Sequence, residues 1–368
     1  MMTDKYLIDS HKYNYHPEHA SNVIKYLQDP HNHENIQKYK AQHPLYIEVS
    51  PVGACNHRCT FCAVDYIGYK SVFMDINNYK KSIDTMKGKG CKSIMFAGEG
   101  EPLLHPAINE MVKYTKYQGN IDVSFTTNAV RLNEKFIEES LKNTSWIKVS
   151  FNGGDEESYS EIHRTKKDDY HKVINNLKQA VDYKKKHRLK TVIGLQTLLL
   201  PENIESIPML CETCKEIGVD YLVIKPYSQH KKSLTTKYKD IDYSQYLELG
   251  KTLEKQNTEK FNVIFRLNTI KNWISQNDER YCKCLATPST WGYIMADGSV
   301  YTCSAYLLDE RFKLGNINEA EFETIWNSEA RLKHANYILN ELNINECRVN
   351  CRMDQVNRYL DKVVNNKI

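Results

Sequence analysis

The chain is 368 residues long, enough for two domains or for one large α/β domain with an extension. Its 50 basic and 46 acidic side chains leave a formal charge of only +4, which sets up no strong field for nucleic acid or an anionic membrane. No apolar run reaches bilayer-spanning length and Met1 to Asn14 lack the apolar core of a signal peptide, so a soluble, cytoplasmic protein is expected.

Residues 1–43 are polar and rich in His and Tyr, with a helical stretch around Glu18 to Leu27, and read as an N-terminal arm or helical cover. His11, His16, His19, His31 and His33 share no helical register and read as surface residues. From residue 44 a steady strand-helix alternation begins. Strands are predicted at Leu45 to Ser50, Ser93 to Ala97, Ile121 to Thr126, Ile147 to Phe151, Thr191 to Leu198 and Tyr221 to Ile224. Helices are predicted at Asn77 to Lys87, Ala107 to Lys116, Glu134 to Leu141, Tyr170 to Lys186 and Ile204 to Ile217. The run Lys184-Lys-Lys-His-Arg188 reads as the solvated end of one of them. Six βα-type repeats with apolar strands suit parallel pairing but are too few to close an eight-stranded barrel, so residues 44–240 are expected to form a partial (β/α)6 TIM-type barrel. After Ile241 the alternation stops. Residues 241–368 show a helix from Tyr243 to Lys255, an extended Phe261 to Leu267, a β-hairpin turning at Asp297-Gly298, and further helices.

The cysteines need an explanation other than disulfides, because a reducing compartment keeps thiols free. Cys55-Asn-His-Arg-Cys59-Thr-Phe-Cys62 follows the first strand, and three thiolates at this spacing can hold three irons of a 4Fe-4S cube while the fourth iron stays open. Zinc is the competing occupant, though His57 lies inside the triplet, where it would strain a tetrahedron. Later, Cys284, Cys303, Cys347 and Cys351 come from a hairpin and a distant helical turn and make a closed, all-thiolate site, for which zinc is also allowed. Cys91, Cys211 and Cys214 read as core thiols, and Cys282 is left over.

In parallel α/β folds the chemistry gathers where strands end. The second strand ends in Phe96-Ala-Gly-Glu-Gly-Glu-Pro102, where Gly98 and Gly100 allow close backbone approach to a ligand and Glu99 or Glu101 can pair with a cation. The third ends in Thr126-Thr-Asn128. The fourth ends in Ser150-Phe-Asn-Gly153, offering Ser150 and Asn152, with Arg164 a short way beyond. Gln196 on the fifth, with Lys225, Tyr227, Gln229 and His230 after the sixth, would suit a hydroxylated or amino-bearing substrate.

With Phe61 directly before the third cysteine, C-x3-C-x2-C resembles the signature of the radical S-adenosylmethionine (SAM) superfamily, and the resemblance runs from about residue 45 to 355. It implies that the open iron chelates SAM and that one electron cleaves it to a 5′-deoxyadenosyl radical. By that resemblance Gly98, Glu99, Gly100 and Glu101 stand at the family's "GGE" element, which meets the methionyl ammonium; Glu99 replaces a usual glycine. Asn128, Ser150, Asn152 and Gln196 fall near the SAM site, and Arg164 resembles the arginine that clamps the SAM carboxylate. The C-terminal cysteines resemble those of SPASM and twitch extensions. A full SPASM domain has a C-x2-C-x5-C run that is missing here, which points to one auxiliary 4Fe-4S cluster on Cys284, Cys303, Cys347 and Cys351, with Cys282 left to replace one of these, to pack inertly or to stand near substrate as a hydrogen-atom donor. The implied partners are a low-potential electron donor such as flavodoxin or ferredoxin and a small, carbohydrate-like substrate that is dehydrogenated or epimerised. A peptide-modifying maturase is the alternative within the family, and a noncatalytic zinc scaffold the alternative outside it.

Overall fold

The computed structural model describes residues 13–266, 269–271, 280–348 and 351–365; His11 and Leu267 lie outside them. Seven strands run parallel, each paired with the next: β1 (Tyr46–Val49), β2 (Ser93–Phe96), β3 (Asp122–Thr127), β4 (Trp146–Ser150), β5 (Val192–Leu199), β6 (Tyr221–Pro226) and β7 (Asn262–Phe265). On the free side of β1 lies β8 (Trp291–Ile294), also parallel, followed by the antiparallel β9 (Ser299–Tyr301) and β10 (Lys313–Asn316). The single sheet thus runs from β10 at one end to β7 at the other, an open, partial barrel.

The boundary expected at 240/241 does not divide this sheet. The segment predicted as an extended part of the C-terminal region is β7 and lengthens the barrel beside β6, while the predicted hairpin, β8 and β9 turning at Gly298 (φ +85°), extends the opposite end beside β1. A one-dimensional alternation signal cannot reveal that residues 245 positions apart pair in the same sheet.

Strand pleating separates two faces. Ile47, Val49, Ile94, Phe96, Val123, Phe125, Leu195 and Ile224 point into the main hydrophobic core. That core is shared with α3 (Ile76–Met86), α4 (Ile108–Tyr117), α5 (Glu134–Ser140), α6 (Glu156–His163), α7 (Asp168–Lys186) and α8 (Ile207–Ile217). The other face is not the apolar one expected: Glu48, Ser124, Lys148, Gln196 and Lys225 alternate with the core residues, because the lumen is a chamber rather than packed filling. Helix starts follow their caps, with Asp75, Asn133 and Asp155 accepting the N–H of Asn78, Phe136 and Ser158. The last of these starts α6, a helix the sequence pattern did not signal.

The N-terminal cover, α1 (Pro17–Gln28) and α2 (His33–Ala41), packs in a second cluster with residues of α11 (Glu329–Asn340) and α12 (Asp354–Val364). α9 (Leu247–Glu254) flanks β7, and α10 (Phe322–Trp326) packs on α3. His19 is buried in the cover, hydrogen-bonded to the Tyr13 hydroxyl at 3.1 Å, rather than lying on the surface. Cys91, Cys211 and Cys214 are core residues, as their surroundings in the sequence suggested.

Candidate active site at the strand ends

The loop after β1 gathers Cys55, Cys59 and Cys62 as free thiols. All three are held above the usual thiol range, first by burial, with Cys55 pushed up to about 12 by burial and the Glu101 charge and Cys59 raised further by the charges of Cys62 and Cys55. Grouped sulfurs that resist ionising alone are relieved by a shared metal centre. The loop is tied to the end of α6, where Arg58 and Thr60 donate backbone N–H groups to His163 and Ile162 carbonyls at 3.1 and 2.8 Å. His57, Cys59 and His163 have ligand atoms within 4.8 Å of one another, but His57 Nε2 faces Asp169 at 3.3 Å and His163 Nε2 accepts the Asn152 N–H at 3.0 Å. The donor set is therefore three sulfurs with both rings already engaged, which fits a 4Fe-4S cluster with one iron left to a small molecule better than a protein-saturated zinc.

The glycines after β2 have a use different from the expected one. A Cβ on Gly100 would lie 2.2 Å from the Val52 carbonyl oxygen and 2.3 Å from that of Ala54. One on Gly98, at φ +109°, would lie 2.4 Å from Ser50 Cβ. Both let β2 press directly on the root of the cysteine loop. Glu101 is consumed by the protein: it accepts from Thr127 Oγ1 at 2.5 Å, Leu103 N at 3.0 Å and Asn128 N at 2.8 Å, fastening the ends of β2 and β3 together. Glu99 is the carboxylate with capacity to spare. Its Oε1 accepts the Ala296 N–H at 2.9 Å, its Oε2 is buried without a partner among the described residues, and burial raises it to about 7.

Asn128 donates to Asn56 Oδ1 at 2.8 Å, linking β3 to the cysteine loop. Asn152 is a latch, with its side-chain oxygen accepting the Leu198 N–H at 2.6 Å and its amide nitrogen 3.1 Å from Ser150 Oγ. Phe61 packs edge-on against His163 at 5.7 Å. Arg164 is exposed at the left-handed end of α6, φ +46°, so any clamp role requires its long side chain to swing over the edge. Gln229 donates to the His230 and Thr235 carbonyls, and His230 stacks on Tyr66 at 5.4 Å, which leaves Lys225 and Gln196 as the residues of that group on the cavity wall.

Cys284, Cys303, Cys347 and Cys351 converge on one wall of a cavity of about 560 Å³ whose other walls come from the barrel lumen. Burial pushes Cys284, Cys303 and Cys351 up, with neighbouring cysteines of the set adding to it. Hydrogen-bonding groups face the sulfurs. Asn357 Oδ1 accepts the Leu285 and Ala286 N–H groups, which fixes its amide nitrogen toward Cys284 Sγ at 3.6 Å, while the Tyr306 hydroxyl is 3.3 Å from Cys347 Sγ. Donors aimed at a four-sulfur set fit an anionic cluster. Cys282 is exposed and off the cavity wall, so the structure does not bring it to the lumen as a hydrogen donor.

Sequence reasoning missed His163, Asn56, Thr127, Asn357 and the Glu48–Arg352 ion pair (2.5 Å). His163 stands next to Arg164 in a stretch already singled out, but nothing local shows that its ring turns back to Cys59.

Residues 49–214 match the Radical SAM superfamily and residues 282–352 match the SPASM iron-sulfur cluster-binding domain. A GTP 3′,8-cyclase of Chlorobaculum tepidum is 29% identical over 50% of the chain, which spans only 55% of that enzyme. A cysteine-type anaerobic sulfatase-maturating enzyme of Clostridium novyi is 25% identical over 81% of the chain and 82% of its own length. In fold, the chain is similar to Streptococcus suis SuiB bound to the precursor peptide SuiA, with TM-score 0.63 and 19% identity over 80% of the chain and 67% of that protein.

Proposed function

We propose that this chain, which joins a radical SAM domain to a C-terminal SPASM iron-sulfur domain, takes a hydrogen atom from a peptide substrate held in the barrel lumen and modifies that peptide. The observation that carries the reading is that the barrel lumen forms a cavity walled by all four cysteines of the second set, so a guest beside Lys148, Gln196 and Lys225 lies against that sulfur site. Peptide is favoured over the carbohydrate-like molecule expected from the sequence because the sulfatase-maturating relative matches most of both chains, and the peptide-bound protein shares the fold.

With its cluster loaded, SAM supplies the hydrogen-abstracting 5′-deoxyadenosyl radical. The protein's part is positional. Cys55, Cys59 and Cys62 would hold the first cluster, Cys284, Cys303, Cys347 and Cys351 the second. Glu99, with its spare oxygen, is better placed than the fully bonded Glu101 to meet a ligand ammonium. Glu101 ties the ends of β2 and β3 and Asn152 those of β4 and β5, so four strand ends are kept in register. Dehydrogenation is preferred to epimerisation, since the thiols on the described cavity wall are the four of the second set and none remains to return a hydrogen.

The small-molecule reading keeps one observation in its favour, the chamber of about 560 Å³, a volume suited to a compact ligand. Anaerobic reconstitution tests the main reading. A brown protein that forms 5′-deoxyadenosine with dithionite, and that loses this with Cys55→Ala, Cys59→Ala or Cys62→Ala, supports it. Cleavage persisting in those variants sinks it.

A further inference from the structure

The lumen carries an imbalance of charge that the sulfur sites do not explain. Lys148 comes from β4, Lys225 from β6 and Arg266 from the residue after β7, and all three line the cavity with Arg348 and Arg352. Among the described residues two carboxylates lie nearby, and both are occupied: Glu48 pairs with Arg352 at 2.5 Å and Asp354 with Arg358 at 2.9 Å. Among the described residues neither Lys148 nor Lys225 has a hydrogen bond or ion pair; the Lys148 ammonium only overlies the Trp146 ring at 5.6 Å. Arg348 Nε is buried without a partner among the described residues.

Part of this charge faces the second cysteine set. Arg348 and Arg352 each follow a cysteine directly, and the charge of Cys351 acts on Arg348. The two lysines are different. Burial lowers both, and the charges acting on Lys225 are those of Lys148, Arg266, Arg348 and Arg352. Lys148 is brought down to about 8, with Glu48 the one group opposing. Like charges crowded in one chamber are costly, and a guest anion removes the cost.

Register puts this charge at a defined height. Ser150 pairs with Gln196 and Leu198 with Lys225, so Lys225 stands at the strand-end level and Lys148 one inward-facing step below Ser150. The two ammonium-bearing chains bracket the level at which a ligand would meet Ser150 and Gln196.

We propose that the lumen binds a multiply anionic group of the substrate, an oxyanion cluster seated on Lys148 and Lys225. This deepens the proposed function and rests on the lumen being the substrate chamber, though not on the radical chemistry itself. Two sources supply such a group: consecutive acidic side chains of a peptide, or the phosphates of a phosphorylated small molecule.

The test is calorimetric titration of the anaerobic, cluster-loaded protein, without reductant, using hexaglutamate and inorganic tripolyphosphate as separate probes. One probe is expected to bind at one site per chain, weakened by about tenfold or more in Lys148→Gln and in Lys225→Gln while Lys87→Gln, an exposed control, changes nothing. Hexaglutamate alone binding identifies the peptide source, and tripolyphosphate alone the phosphate source. Binding of neither probe, or binding untouched by both lumen substitutions, overturns the proposal. Iron content and melting temperature of each variant establish that it is folded. Failure of the radical reading has a different signature, a protein that still binds its probe yet yields no 5′-deoxyadenosine.

Discussion

The Nδ1 atom of His163 lies 3.2 Å from the Sγ of Cys59, and the direction of that hydrogen bond is fixed from the far side of the ring. Because Nε2 accepts the Asn152 N–H, the proton of the neutral imidazole is on Nδ1 and is donated to sulfur. Burial, reinforced by His57, keeps the ring well below the ordinary histidine range and so uncharged at neutral pH. Hydrogen bonds to cluster sulfurs stabilise the more negative, reduced state. His163→Leu is therefore expected to shift the first cluster's reduction potential downward, on the order of 60 mV if the lost bond is worth one factor of ten. Redox titration followed by electron paramagnetic resonance checks this, and an unchanged potential with full cluster occupancy would refute the assignment.

Gly100→Ala places a methyl against two backbone carbonyls at the root of the cysteine loop, and neither can move away as a side-chain tip could. The expected result is loss of about half the bound iron, all of it from the first cluster, with the second cluster's signal retained. Iron analysis with Mössbauer spectroscopy separates the two sites.

Glu99 links stability to pH. Its folded value is raised, chiefly by burial, to about 7, so its contribution is fully present below the unfolded carboxylate value and is lost as pH rises through about 7. Glu99→Gln should melt close to the parent near pH 5 and be the more stable protein near pH 8, by up to about 3 kcal/mol. Melting curves of the SAM-free protein across that range test it. A constant difference between the two proteins at all pH values would show that Glu99 is not the titrating group.

Cys303→Ala and Cys282→Ser should behave oppositely. The first removes a sulfur from the converging set and is expected to empty the second site and halve turnover or worse, while 5′-deoxyadenosine formation in the absence of substrate survives. The second alters an exposed thiol away from the cavity and is expected to leave iron content and turnover as they were. Reduced turnover in Cys282→Ser with normal iron would reinstate that thiol as a participant.

Asn152→Ala is expected to destabilise the fold by about 1–3 kcal/mol, because it deprives the buried Leu198 N–H of its acceptor. Chemical denaturation of the cluster-loaded protein measures the loss.

Much of the architecture is written locally. Strand and helix periods, the Asp297-Gly298 turn and the cap residues act over a few neighbours, so β1 to β6 and most of the helices around them could be placed within a residue or three of where they lie. Cluster cysteines were equally legible, since thiolate spacing is itself the chemical requirement. The tertiary structure decided what depends on meetings between distant segments. It closed residues 262–265 and 291–316 onto opposite ends of one sheet, and it spent Glu101 on fastening strands while leaving Glu99 an oxygen unused. It also turned His163 onto Cys59 and crowded Lys148, Lys225 and Arg266 into one chamber. Those outcomes follow from where buried polar groups find partners, and a partner a hundred residues away leaves no periodic trace in the sequence beside it.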